Sequence, residues 1–357
     1  MEHCLKNTIL VLALAVATPA HAAFTVFDIT GSGTKGGQGT YGYGVNVEGT
    51  TAGNVIDKQG AVAGYVRGAD GSATVFNALP NLETHAIDIA RSGELTGYYA
   101  DGAGVDHGYL RASDGTITPF DVGGAGTGAG QGTQAVAINA HGDAAGQYID
   151  SSNVLHGFLR SHRGKVATFD AGPKGGLGTF VTGVDAKRDV TGFAFDGSFA
   201  MHGYLRIADG TIVSIDVAGA GTSAFQGTQP ESINAGGDVA GFYTDSSGVR
   251  HGFLRTAGGT ITSFDAPGAG SANGQGTIVA GINKKGEIAG YIKDAANVAH
   301  GFLRRANGKF VSFDVAGAGT SQSTGTFPSR ISDKGDIVGE TLDSSFVAHG
   351  FAGTPTQ

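Results

Sequence analysis

The sequence has a single cysteine, Cys4, no tryptophan, eight prolines and only 15% charged residues. Each shortage excludes something. One cysteine near the start of the chain rules out a disulfide framework, a Cys-ligated zinc site and a thiol nucleophile farther along. It also precedes the apolar run Ile9–Ala17, which is the wrong place for a lipid-attachment cysteine. The few prolines and the lack of a Gly-X-Y period rule out collagen. A net charge of −8 without clustered Lys and Arg argues against binding a phosphate backbone. No apolar run approaches the roughly 20 residues that a membrane-spanning helix requires. Disorder does not fit either, because 40% of the residues are hydrophobic.

What is abundant is glycine, 64 of 357 residues, far above the usual value of about 7%. Glycine supplies the positive φ angles of tight hairpins, so the excess predicts a turn-rich, all-β protein. Residues 1–22 read as a signal peptide: Lys6, the apolar run, then Ala20-His21-Ala22 at the cleavage positions. Secreted or periplasmic localisation follows. The mature chain, 23–357, is expected to be one domain stabilised by buried surface alone.

Internal repetition dominates that domain. His-Gly recurs at 107, 156, 202, 251, 300 and 349, with Ala63-Gly64 in the same place in a weaker copy. A period near 48 residues is that of four-stranded propeller blades. In the third copy, strand A is expected at about Thr133–Asn139, B at Ala144–Asp150, C at His156–Arg160 and D at Val166–Asp170. Gly142 and Gly164 mark the A–B and C–D hairpins. A Gly-rich link then leads to the next unit.

Strand A begins near Thr40, Thr84, Thr133, Thr179, Thr228, Thr277 and Thr326, which makes seven units. Their bounds are about 39–77, 84–121, 133–170, 179–216, 227–265, 276–314 and 325–353. The last unit lacks a strand D, and residues 24–28 form a strand D with no unit before it. This overhang predicts a seven-bladed β-propeller of four-stranded blades, its last blade closed by the N-terminal strand.

Gly281-Ile282-Asn283, Ile288-Ala289-Gly290 and His300-Gly301-Phe302-Leu303-Arg304 resemble the HAF family of extracellular repeats, and the likeness covers nearly all of the mature chain. The resemblance implies a bacterial exported protein and a propeller-like fold. It carries over no catalytic residue.

Topology places three repeated groups on one rim: Asp at the end of strand B, His opening strand C, and Asp or Asn closing strand D. The pairs are Asp101 and His107, Asp150 and His156, Asp196 and His202, Asp245 and His251, Asp294 and His300, and Asp343 and His349. Two carboxylates and an imidazole could form part of a divalent-cation site. A group needed by every blade is more simply structural, hydrogen-bonding across strands as His-Asp networks do in WD-type propellers. No cofactor is expected. Arg67, Arg111, Arg160, Arg206, Arg255 and Arg304 recur too, and are expected to pack their stems on the blade while reaching a nearby carbonyl or carboxylate. The aromatic residues at 109, 158, 204, 253, 302 and 351 are read as inter-blade core.

A ligand without sevenfold symmetry needs unlike groups, so recognition is sought where the copies differ. The second position of strand A varies as Tyr41, His85, Gln134, Phe180, Gln229, Ile278 and Phe327. Deeper in the same strands, Asp88, Glu231 and Arg330 are charges where other copies have small residues or Thr. These positions predict a saccharide or protein ligand at the channel mouth on the link-bearing face. No elbow, zincin, P-loop or EF-hand motif is present. The enzyme alternative, an extracellular lyase or hydrolase, would have to use His85, Asp88 and Glu231. A third reading is a structural or adhesive surface protein.

Overall fold

The computed structural model describes residues 23–80, 82–172 and 176–355, so the expected signal peptide and Cys4 lie outside the described residues. Those residues form 28 strands in one hydrogen-bonded sheet and no helix. In the third unit, Gly132–Ile138, Ala144–Ile149, Leu155–Arg160 and Val166–Phe169 pair antiparallel in order. The chain reverses at Gly142, φ +79°, and Gly164, φ +85°, in the left-handed region that glycine enters without a Cβ penalty. The other units repeat this run of four. The last takes three strands from Gly325–Ile331, Ile337–Leu342 and Ala348–Thr354, and its fourth is Ala23–Phe27 from the other end of the chain, paired Phe24 with Gly353 through Phe27 with Gly350.

Each strand A touches strand A of the next unit, and the seventh, Gly325–Ile331, touches the first, Gly39–Val45. Two backbone devices join neighbours. A buried Thr at the start of strand A accepts a hydrogen bond from the backbone just past strand D of the preceding unit, as Thr133 Oγ1 does from Val122 N at 3.0 Å and Thr40 Oγ1 from Ile29 N at 2.9 Å. The glycine before that Thr also makes a parallel bridge to strand C of the preceding unit, Gly132 to Asp106. A Cβ on Gly132 would fall on the Asp106 carbonyl oxygen. The second unit has Glu83 at this place, and there the bridge is missing among the described residues.

The core lies between units. One cluster joins Leu205, Ile215 and Val217 to Ile233, Val239, Tyr243 and Phe253; another joins Leu303 and Phe313 to Ile331, Ile337 and Phe351, with Phe24 of the N-terminal strand against them. Tyr109, Phe158, Tyr204, Phe253, Phe302 and Phe351 are fully buried. The recurrent arginines do reach carbonyls, as Arg111 Nη1 does to Ala112 O at 3.4 Å. Their main partner is aromatic: Arg67, Arg111, Arg160, Arg206 and Arg304 lie over Phe27, Phe76, Phe120, Phe169 and Phe264 of the preceding unit's strand D, 4.3 to 5.0 Å from the ring centres. Arg255 has no such ring beneath it because the preceding strand D ends in Ile215.

Candidate functional site

The Asp–His–Asp rim is built the same way six times. The Oδ1 of the strand-B aspartate accepts two backbone N–H groups of its own turn, for Asp150 from Ser152 and Val154 at 2.8 and 2.9 Å. Its Oδ2 faces His156 Nε2 at 3.4 Å, while His156 Nδ1 meets Asp170 at 2.7 Å. His107, His202, His251, His300 and His349 are held alike, the last between Asp343 and Asp28 of the N-terminal segment. The two carboxylates sit on opposite edges of each ring, so three lone pairs do not converge on one point. Among the described residues no group of three or more His, Cys, Asp or Glu side chains is placed to hold a metal ion. Hydrogen bonds from the backbone amides of the turns hold the carboxyls of Asp101, Asp150 and Asp196 below their ordinary range.

The ring of A strands surrounds a channel. Every strand A carries a β-bulge, between Ala135 and Ala137 in the third unit and between Pro230 and Ser232 in the fifth. The bulged residue is re-aimed locally; in the first, third, fifth and seventh units it is Tyr43, Val136, Glu231 and Ser329, all of which line one cavity of about 630 Å³ with Gln229, Arg250, Tyr291 and Arg330. A second cavity of about 210 Å³ lies towards the A–B hairpins and is lined by Asp88, Arg91 and, again, Arg330. Arg330 therefore stands between the two chambers, 3.9 Å from Asp88, whose carboxylate also accepts from Ile138 N and Ile89 N. Glu231 turns to the other chamber and accepts from Gln229 Nε2 at 2.6 Å.

The variable second position of strand A faces a second variable position across the hairpin. The pairs include Tyr41 with Asn54, His85 with Tyr98, Gln134 with Gln147, Phe180 with Phe193, Gln229 with Phe242 and Phe327 with Glu340. His85 is stacked on Tyr98 and lies between Asn54 at 3.1 Å and Glu83 at 3.0 Å. Gln134 donates to Asp106 at 2.7 Å and accepts from Gln147 at 3.1 Å. Phe327 meets Tyr291 edge-on, and Tyr41 stacks on Tyr43. His85, Asp88 and Glu231 do not come together: both ring nitrogens of His85 are engaged, and the two acids open on different chambers.

Two features escaped the sequence reading. Tyr43, Arg250 and Tyr291 line the same cavity, and Glu340 and Asp106 sit beside the variable strand-A residues Phe327 and Gln134; variation of the residue after the strand-B glycine is the signal that could have found Glu340 and Tyr291. The second is a run of aromatic rings leading away from the mouth. Phe195 sits edge-on to Phe180 at 5.6 Å and to Phe225 at 6.0 Å, and Phe199 and Phe225 are 5.9 Å apart. Phe225 is 66% exposed and Phe199 47%. Both have φ near +62°; other units place Gly104 or Asn153 where Phe199 stands, the seventh repeats the ring as Phe346, and Gly130 or Gly274 stands where Phe225 does. A bulky residue in that region costs about 1 kcal/mol or more, and here the strain keeps two rings in water.

Burial pushes the Glu231 carboxyl up to about 7 against the opposing effects of Gln229 and Arg330, and burial pushes Glu340 up to about 8. A carboxyl whose folded value lies above its unfolded value binds more protons when folded, so its contribution is present at low pH and lost as pH rises through the folded value. Stability is therefore expected to fall between about pH 5 and 8.5. Glu231→Gln with Glu340→Gln should flatten this slope and raise stability at pH 8.5 by roughly 1–2 kcal/mol per site, less than the full shift at about 1.4 kcal/mol per unit because both residues are only partly buried. The lowered rim aspartates act oppositely, losing their contribution only in acid. Urea titrations across this range check both signs.

No protein-family model and no curated protein matches the chain. Solved structures do. The chain is similar to the BP39L lectin from Burkholderia pseudomallei at 11% identity, covering 94% of this chain and 98% of that one with a TM-score of 0.50. It is also similar to a prolyl endopeptidase at 10% identity and a TM-score of 0.58, covering 92% of this chain and half, 50%, of the peptidase chain. At these identities the likeness shows the fold alone, an all-β architecture of the propeller type. Among the described residues no helix is long and apolar enough to cross a membrane.

Proposed function

We propose that the chain is an exported, non-enzymatic binding protein, a seven-bladed β-propeller that takes a saccharide at the channel mouth on its link face. The observation that carries this reading is the set of unlike side chains that otherwise repeated units place at the mouth: Tyr41, His85, Gln134, Phe180, Gln229 and Phe327. Flat rings stack on the C–H faces of sugars, and amides and carboxylates accept and donate to their hydroxyls. The exposed rings of Phe199 and Phe225 extend the apolar part of that surface. The seven runs of four strands and the pairing of the chain ends support the blade count and closure by residues 24–28. Export rests on residues 1–22 and on the resemblance to HAF-type extracellular repeats. The lectin likeness agrees with saccharide binding. Hydrolysis finds no support in the positions of His85, Asp88 and Glu231, which do not face one substrate.

The test is a thermal-shift screen of residues 23–357 against mono- and polysaccharides, divalent ions and a chelator. A saccharide at about a hundred times its dissociation constant should add roughly 2.7 kcal/mol. Phe225→Gly should then raise the stability of the free protein by about 1 kcal/mol, because it relieves the backbone, and weaken the saccharide severalfold. Stabilisation by a divalent ion instead of any sugar would overturn the reading, as would a ligand unaffected by changes at the mouth.

A further inference from the structure

The first unit keeps the rim of the other six but lacks its imidazole. Ala63 stands opposite Val55 in the register that sets His156 opposite Tyr148, and Asn77 follows Phe76 as Asp170 follows Phe169. Asp57 holds its turn like its counterparts, with Oδ1 accepting from Gln59 N at 2.8 Å and Ala61 N at 2.9 Å. Its Oδ2, which in the other units faces the ring, has no hydrogen-bond partner among the described residues. Asn77 donates from Nδ2 to Leu82 O at 3.0 Å, which leaves its Oδ1 free to accept.

The neighbouring link has changed at the same place. Glu83 replaces the bridging glycine, and among the described residues no parallel bridge joins the first and second units there. At this place lies a cavity of about 740 Å³ whose walls include Val55, Val62, Ala63, Val75 and Leu82, with Asp57, Asn77 and Glu83 supplying acceptors and Lys58 at its edge; the fourth unit, which keeps its His202, has a cavity of about 680 Å³ in the equivalent position. That is the volume range of small-molecule sites.

We propose that this cavity binds a small molecule bearing an imidazole ring. The chemistry is set by the fold itself. Six times it clamps an imidazole between two side-chain oxygens, at 2.7 to 3.2 Å from Nδ1 and 3.4 to 3.6 Å from Nε2. Once, it presents the same oxygens around an empty place. A guest imidazolium ring donates one N–H to Asn77 Oδ1 and the other to Asp57 Oδ2, and its substituents lie against the valines and Leu82. An imidazolium gains further from the carboxylates of Asp57 and Glu83. The site meets the channel mouth only through Glu83, whose Oε1 is bonded to His85 at 3.0 Å, and does not depend on the saccharide reading.

Imidazole and 4-methylimidazole are the probes, titrated into residues 23–357 and followed by calorimetry and by ligand-observed NMR. One saturable site is expected, with 4-methylimidazole the tighter because its methyl group meets the apolar wall. Ala63→His fills the place with the chain's own ring and should abolish binding while raising the melting temperature. Asp57→Asn should weaken binding about tenfold. His156→Ala should add a second site of similar affinity in the third unit. The proposal is overturned if the parent protein shows no saturable binding, or if Ala63→His melts no lower than the parent and still binds imidazole equally well.

Discussion

Removing Ala23–Asp28 is expected to lower stability by more than about 5 kcal/mol, a large part of the total for a domain. The loss has three sources. Residues 23–27 give up their ladder with Ala348–Thr354, which becomes a bare sheet edge. Phe24 leaves Phe313 and Phe351 at 4.7 and 5.2 Å, and Phe27 leaves Tyr65 and the Arg67 guanidinium, so two aromatic side chains return to water at about 2 kcal/mol or more each. His349 loses Asp28. The first and last units then part, since Thr40 no longer reaches Ile29 through a fixed strand. A synthetic peptide of residues 23–29 added to the truncated chain should restore part of the melting temperature by donating the missing strand. A truncated chain as stable as the parent would show that the ends do not close the fold.

The second large effect concerns a single methyl group. Gly132→Ala is expected to cost about 3 kcal/mol, because φ is +116° and the new Cβ would occupy the place of the Asp106 carbonyl oxygen. The neighbour is backbone and cannot rotate away. Strand A of the third unit must move from strand C of the second, and Gln134, which donates to Asp106, moves with it. Saccharide affinity should therefore fall together with stability, whereas Ala at Gly123, where a Cβ meets nothing within 4 Å, should change neither. Urea melts of both variants decide the matter. The second unit already carries such a change: Glu83 stands in place of the glycine and, among the described residues, the bridge is absent.

Much of the architecture was legible because it repeats. Strand period, turn glycines and the missing strand D are local signals multiplied across the units, and the strands of the third unit fall within one residue of their expected bounds. The alternation of polar and aromatic residues in strand C placed Tyr109 and Phe158 in the core correctly. Contacts between units were harder to read. Nothing local to Arg160 announces Phe120 beneath it, since that ring is 40 residues earlier and meets it only after two blades dock. The bulges were invisible too. They put Glu231 on the bulged position and Asp88 and Arg330 one residue further along, which is why the three charges divide between two chambers. Phe199 and Phe225 were passed over because turn positions usually hold Gly or Asn, and only their φ angles show that the rings are held out against a conformational preference.

The central claim is that the departures from the repeat carry recognition and the repeated residues carry the fold. It is tested most directly by measuring, with the saccharide found in the screen, the affinity and the stability of Gln134→Ala and His156→Ala side by side. The account predicts that Gln134→Ala weakens the saccharide about tenfold with a melting temperature near that of the parent, and that His156→Ala lowers the melting temperature while leaving affinity unchanged. The opposite pattern, affinity lost with His156 and kept without Gln134, would contradict it and move recognition from the channel mouth to the rim.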